Sequence, residues 1–135
     1  GKIKPGTESD HISAFYDVFP TLCEITGIKT PEDVDGISFL PSLTGKIQES
    51  HEFLYWEFPA YGGQQAVRMG NWKAIRKNML KGNLEIELYD LDTDIREEIN
   101  VASDHPDVIE EVKKIFEDQH TPSTIDRFKF KVLGD

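Results

Sequence analysis

The chain has 135 residues, enough for one hydrophobic core, and a domain of this size buries roughly two thirds of the surface its unfolded chain exposes. Hydrophobic residues make up 38% and charged residues 30%, which excludes a disordered chain. The formal net charge of −10, with Lys and Arg scattered along the sequence, excludes a face built to neutralise nucleic-acid phosphates.

The opening, Gly1-Lys2-Ile3-Lys4-Pro5-Gly6, reads as a loop without an initiating Met or a charged-then-apolar leader, so we expect it to continue a longer polypeptide. A helix is predicted over 17–26. Asp17 is placed to cap it and Pro20 lies in its tolerant first turn. Val18, Phe19, Leu22 and Ile25 form an apolar stripe, and Gly27 ends the helix. Cys23, the only cysteine, sits within this pattern as a small buried thiol; alone, it rules out an internal disulfide and a cysteine-rich zinc site. Dense punctuation from Lys29 to Gly45 (Pro31, Asp35-Gly36, Pro41) around Ile37, Phe39, Leu40 and Leu43 predicts an ordered loop with one helical turn.

After His51 the aromatic run Phe53, Leu54, Tyr55, Trp56 and Phe58 predicts a strand, broken by Pro59 to Gln65 with its Gly62-Gly63 pair. Ala66 to Met69 and Trp72 to Arg76 flank a two-residue Gly70-Asn71 connection, a hairpin signal. Leu84 to Leu91 supplies a fourth strand. A final helix opens at Asp104 or His105 with Pro106 in its first turn; Val108, Ile109, Val112, Ile115 and Phe116 make one apolar stripe, and Glu110 and Lys114 fall four apart on the wet side. Together these elements predict an α+β fold, a four-stranded antiparallel sheet with one face covered by the C-terminal helix. The helix at 17–26 and a partner domain are expected to cover the rest.

Chemistry is sparse. The four histidines, His11, His51, His105 and His120, have no paired-ligand spacing; His105 and His120 are explained by the helix ends, which leaves His51 as the one to test. Asp90-Leu91-Asp92-Thr93-Asp94 has the alternate aspartates of a calcium loop, but Ile95 stands where the turning Gly belongs and Val101 where the bidentate Glu belongs. No nucleophile elbow or local Ser, His and Asp arrangement is present.

Several phrases in order do carry a resemblance. These are Gly1-Lys2-Ile3-Lys4-Pro5-Gly6-Thr7, Asp17-Val18-Phe19-Pro20-Thr21-Leu22, Asp35-Gly36-Ile37-Ser38, Tyr55-Trp56-Glu57-Phe58, Gln65 through Lys73, Glu87-Leu88-Tyr89-Asp90-Leu91, Asn100-Val101-Ala102 and His105-Pro106. To about Gln119 the chain resembles the C-terminal third of a type I sulfatase of the alkaline-phosphatase-like superfamily. The resemblance implies that 1–50 is the tail end of a large α/β domain, 51–120 the C-terminal sheet and helix, and 121–135 a tail.

For the full-length parent the resemblance implies a sulfuric ester hydrolase of aryl or carbohydrate sulfates, using formylglycine and calcium. Both come from residues earlier in the family's chain. The C-x-P-S-R or S-x-P-S-R nucleophile motif is missing here, since Cys23 is followed by Glu24-Ile25-Thr26 and Ser38 lacks the Pro and Arg at the required places. No catalytic or metal-binding residue carries over, and the fragment is expected to be inactive alone. Its expected partners are its own N-terminal sulfatase domain and, for the parent, a sulfated small molecule or glycan. A periplasmic or secreted location completes what the resemblance implies; apart from it, a dimer through exposed apolar surface is a candidate state of the chain on its own. His51, Tyr61, Gln64 and Gln65 are candidates for the rim of the substrate pocket. The alternatives are a free-standing acidic interaction module and the C-terminal domain of a related phosphoesterase.

Overall fold

A single 3-10 turn at Phe15–Asp17 runs directly into helix α1 (Val18–Thr26), which Gly27 ends in the left-handed conformation. This computed structural model describes residues 1–135 and divides into two compact units, Gly1–Glu52 and Phe53–Asp135. In the first unit, Asp17 stands at the start of α1 without capping it, contrary to expectation. Its carboxylate is turned away to accept the N–H groups of Ala14 at 2.6 Å and Ile37 at 2.9 Å. One turn further on, the Thr21 hydroxyl donates to the Asp17 carbonyl at 2.7 Å and accepts the N–H of Phe39 at 3.0 Å. The loop 36–39 is thus laced onto the helix by side chains. Gly36 permits the approach, because a Cβ there would lie 2.3 Å from the Tyr16 carbonyl oxygen. A one-turn helix, α2 (Leu40–Leu43), follows.

The face of α1 turned inward therefore carries Asp17, Pro20, Thr21 and Cys23. The apolar stripe points the other way: Phe15, Phe19, Leu22, Ile25 and Ile28 are each more than half exposed.

The second unit is a meander of β1 (Leu54–Phe58), β2 (Gln64–Met69), β3 (Trp72–Lys77) and β4 (Ile86–Asp90), paired antiparallel in the order β1-β2-β3-β4. Met69 faces Trp72 across the two-residue turn. Gly70 there has φ 56° while Asn71 stays at negative φ, the pattern of a II′ hairpin with glycine first. Register lines up Tyr55, Val67, Ala74 and Leu88 across the strands on one face. Helix α3 (Pro106–Gln119) lays Val108, Val112, Ile115 and Phe116 on that row to form the core, with Ile109 packed beside it. Two details of α3 differ from expectation. His105 occupies the cap position without a side-chain cap bond, its ring instead 4.6 Å from that of Trp72, and Glu110 pairs with Lys113 at 2.7 Å rather than with Lys114.

The C-terminal residues 121–135 fall within the second compact unit. Two 3-10 turns, Asp126–Phe128 and Lys131–Leu133, bracket the buried ring of Phe130. That ring lies over Gly63, where a Cβ would come within 2.7 Å of it and where φ is +78°, so the site favours glycine for both conformation and space. The carbonyls of Gly62 and Gly63 accept the N–H groups of Leu80 and Met79 at 2.9 and 3.1 Å, which ties the β1–β2 loop to the turn after β3.

Candidate functional site

The four rim candidates divide between the units, His51 in the first and Tyr61, Gln64 and Gln65 in the second. The His51 imidazole is largely buried; its Nε2–H donates to Asp17 Oδ1 at 2.8 Å, and its ring stands edge-on to Tyr16 at 5.9 Å. The buried carboxylate thus has three donors, two backbone and one imidazole, which compensate its loss of water.

Tyr61 is 85% exposed at the tip of the β1–β2 loop, with φ of 50°. Its ring lies 5.9 Å from that of half-exposed Phe58, making an open aromatic pair beside Gln64 at the start of β2. Gln64 is half-buried and pairs in register with Phe58 and Lys77. Gln65 differs in being buried. Strand alternation turns it inward with Val67, to 0% exposure.

Gln65 instead centres a polar row that crosses the α3 face of the sheet, Glu57, Gln65 and Arg76 standing opposite one another in register. Its Nε2 donates to Glu57 Oε1 at 2.7 Å and to the Tyr55 hydroxyl at 2.9 Å, and its Oε1 accepts from Arg76 Nη1 at 3.1 Å. The Tyr55 hydroxyl also donates to Glu57. Burial, reinforced by that carboxylate, pushes the Tyr55 pKa far up, so the phenol remains protonated. Burial lowers the pKa of Arg76, with Glu117 working against it; the guanidinium lies 4.5 Å from the centre of the Phe116 ring, and its Nε has no hydrogen-bond partner.

His120 closes the row from the end of α3. Nδ1 meets Glu57 Oε1 and Nε2 meets Asp135 Oδ1, each at 2.7 Å, while Asp135 Oδ2 accepts the N–H of Phe130 at 2.8 Å. Burial disfavours the charged ring, but the bonds to Asp135 and Glu57 outweigh it and raise the His120 pKa. Both ring nitrogens are committed, so this histidine clasps the C-terminal segment to the sheet and has no free nitrogen for proton transfer to a ligand. Sequence reasoning missed the row. Its signal was the shared strand parity of Glu57 with Tyr55 and of Gln65 with Val67; the His120 contacts, far apart in sequence, left no such trace.

The aspartates from the end of β4 onward serve the turn. Asp90 accepts the Asp92 N–H at 3.0 Å and the Thr93 hydroxyl at 3.1 Å, and Asp94 accepts the N–H groups of Glu98 and Ile99, each at 2.9 Å. Those backbone donors, Ile99 first, lower the Asp94 pKa. No three His, Cys, Asp or Glu side chains gather where they could hold a metal ion, and the lone thiol, Cys23, is buried without the nucleophile motif. The residues present fit neither calcium coordination nor formylglycine.

Comparison with known proteins supplies the family. Residues 1–122 match the family described as N-sulphoglucosamine sulphohydrolase, C-terminal. The chain belongs to this sulfatase family. It is 34% identical over 128 residues to a Delta 4,5-hexuronate-2-O-sulfatase of Bacteroides thetaiotaomicron, a match covering 88% of this chain and 26% of that protein. An ulvan-active sulfatase of Formosa agariphila is 51% identical over 53 residues, covering 39% of this chain and 11% of that one. Among solved structures, a 2-O glycosaminoglycan sulfatase superposes with a TM-score of 0.73 at 28% identity, covering 87% of this chain and 27% of its own. A phosphonate monoester hydrolase of Agrobacterium radiobacter superposes at 0.62 with 25% identity, covering 82% of this chain and 25% of its own. The chain thus corresponds to the C-terminal part of a sulfatase and spans about a quarter of the relatives it matches along most of its length.

Proposed function

We propose that this chain is the non-catalytic C-terminal part of an enzyme that hydrolyses sulfate esters of carbohydrates. The observation that carries the reading is the family match over residues 1–122, at about a quarter of the length of its sulfatase relatives. A structural feature supports it: a solvent-facing apolar stripe on α1, from Phe15 to Ile28, is what a helix presents when a larger domain normally packs on it. Residues 1–50 would then be the edge of that large α/β domain, and 51–120 the C-terminal sheet and helix, with the tail 121–135 clasped onto it. The reaction's nucleophile and calcium would come from the N-terminal domain, and this chain alone would be inactive.

In this reading the chain borders the substrate. Tyr61 and Gln64 have the exposure and chemistry for it, an aromatic face for a sugar ring and an amide for its hydroxyls. His51 would act by position, its imidazole fixed on Asp17. Gln65 would support the rim from below through Glu57 and Arg76.

The test is to express the open reading frame that contains this chain with formylglycine conversion, and to assay it beside the 135-residue chain against aryl and sugar sulfates. Activity confined to the longer product is expected. Phosphoester hydrolysis without sulfatase activity would favour the phosphoesterase alternative, to which the phosphonate monoester hydrolase likeness lends support. Activity on neither class, with no C-x-P-S-R or S-x-P-S-R motif upstream, would overturn both and leave the interaction-module reading.

A further inference from the structure

A cleft of about 550 Å³ opens between the turn after β3 and the C-terminal segment. Leu80 and Val132 give it an apolar side, and its charged lining consists of Asp126, Arg127, Lys129 and Lys131. In a chain with 25 acidic and 15 basic residues, this wall reverses the overall sign. Lys129 neutralises Asp126 at 2.8 Å, whereas Arg127 and Lys131 form no ion pair; the Arg127 guanidinium lies over the Phe128 ring, 4.7 Å from its centre. Positive charge is therefore left over in a concave site, the arrangement that focuses field on an anion.

The wall is also fixed in place. Phe130 is buried over Gly63 and its N–H is held by Asp135, while the basic residues on either side of it, Lys129 and Lys131, line the cleft. The backbone that carries these cations is thus held in place before a ligand arrives. The volume lies within the roughly 300–1,000 Å³ of small-molecule sites.

We propose that this cleft binds an anionic saccharide unit, its sulfate or carboxylate on Arg127 and Lys131 and the apolar face of its ring on Leu80 and Val132. The saccharide part rests on the carbohydrate-sulfatase reading above; the anion part rests on the cleft itself.

The test titrates the 135-residue chain with a heparin-derived hexasaccharide at low salt, with maltohexaose as the neutral control and inorganic sulfate as the free-anion control. The hexasaccharide should bind and maltohexaose should not. Combined Arg127→Ala, Lys129→Ala and Lys131→Ala substitutions should weaken binding about tenfold or more, as loss of several charged contacts does. The matched variant Lys2→Ala, Lys4→Ala and Lys46→Ala, which removes the same charge from exposed positions elsewhere, should bind as the parent does. Absence of binding, equal loss in both variants, or displacement by inorganic sulfate at equimolar concentration overturns the proposal. The enzymatic reading is scored separately by activity of the longer product on small aryl and monosaccharide sulfates, assays that do not depend on the cleft; that activity should survive the cleft substitutions. Failure on both the aryl and the monosaccharide sulfates would count against the enzymatic reading, and failure of the titration against the cleft.

Discussion

Helices α1 and α3 use the same kind of apolar periodicity to opposite ends. In α3 the stripe faces inward and forms a core with Val67, Ala74 and Leu88, so its unit has its own hydrophobic reason to fold. In α1 the stripe faces solvent, and the inward face is held by hydrogen bonds to Asp17 and Thr21. Periodicity reveals that a helix has a face to bury; it does not say which chain segment buries it.

The strongest way to break the comparison is Phe116→Ala, which removes a ring buried against the sheet and should cost about 4 kcal/mol, read as a lower denaturation midpoint of the second unit. Next, Asp17→Ala leaves the N–H groups of Ala14 and Ile37 and the ring of His51 without their acceptor, at a cost of about 3 kcal/mol. Faster amide exchange at Ile37 with unchanged exchange at Leu88 would show that the damage is confined to the first unit.

His120→Gln should cost about 2 kcal/mol by loosening the clasp on Glu57 and Asp135. Its effect should depend on pH. His120 has a raised folded pKa, so its contribution is complete below its ordinary value of 6.5 and is lost as pH rises through the raised one. Burial works to raise the Asp135 pKa, but the bonds from His120 and Phe130 lower it; its contribution is present above the ordinary 3.8 and lost as pH falls through the lowered value. The difference between parent and variant, measured by denaturation, should be largest between those two ordinary values and shrink in alkali. The smallest effect is expected from Leu22→Ser on the exposed stripe, within about 0.5 kcal/mol in this chain. In the longer product the same substitution should be clearly destabilising if a domain covers α1.

The four strands and α3 were legible because each carries its own period: the aromatic run of β1, the Gly70-Asn71 turn, and the stripe from Val108 to Phe116. The α+β class followed from them. The site was less legible. Gln64 and Gln65 looked equivalent as adjacent amides, yet strand parity sends one inward, and that parity was readable from Val67 two residues on. Asp17 had the position of a cap, but a carboxylate serves whichever donors tertiary structure brings, here Ile37 and His51. Phe130 was a lone aromatic in a polar stretch, with no periodicity to show that it would be buried over Gly63.

That last contact bears on how the protein is made. The meander pairs only neighbouring strands, so it can form from local segments as they emerge during synthesis. Its seal cannot, because Gly63 must wait for Phe130, which lies beyond both β4 and α3 in the sequence. A nascent chain therefore shows an open seam over the β1–β2 loop until Phe130 has emerged to cover it.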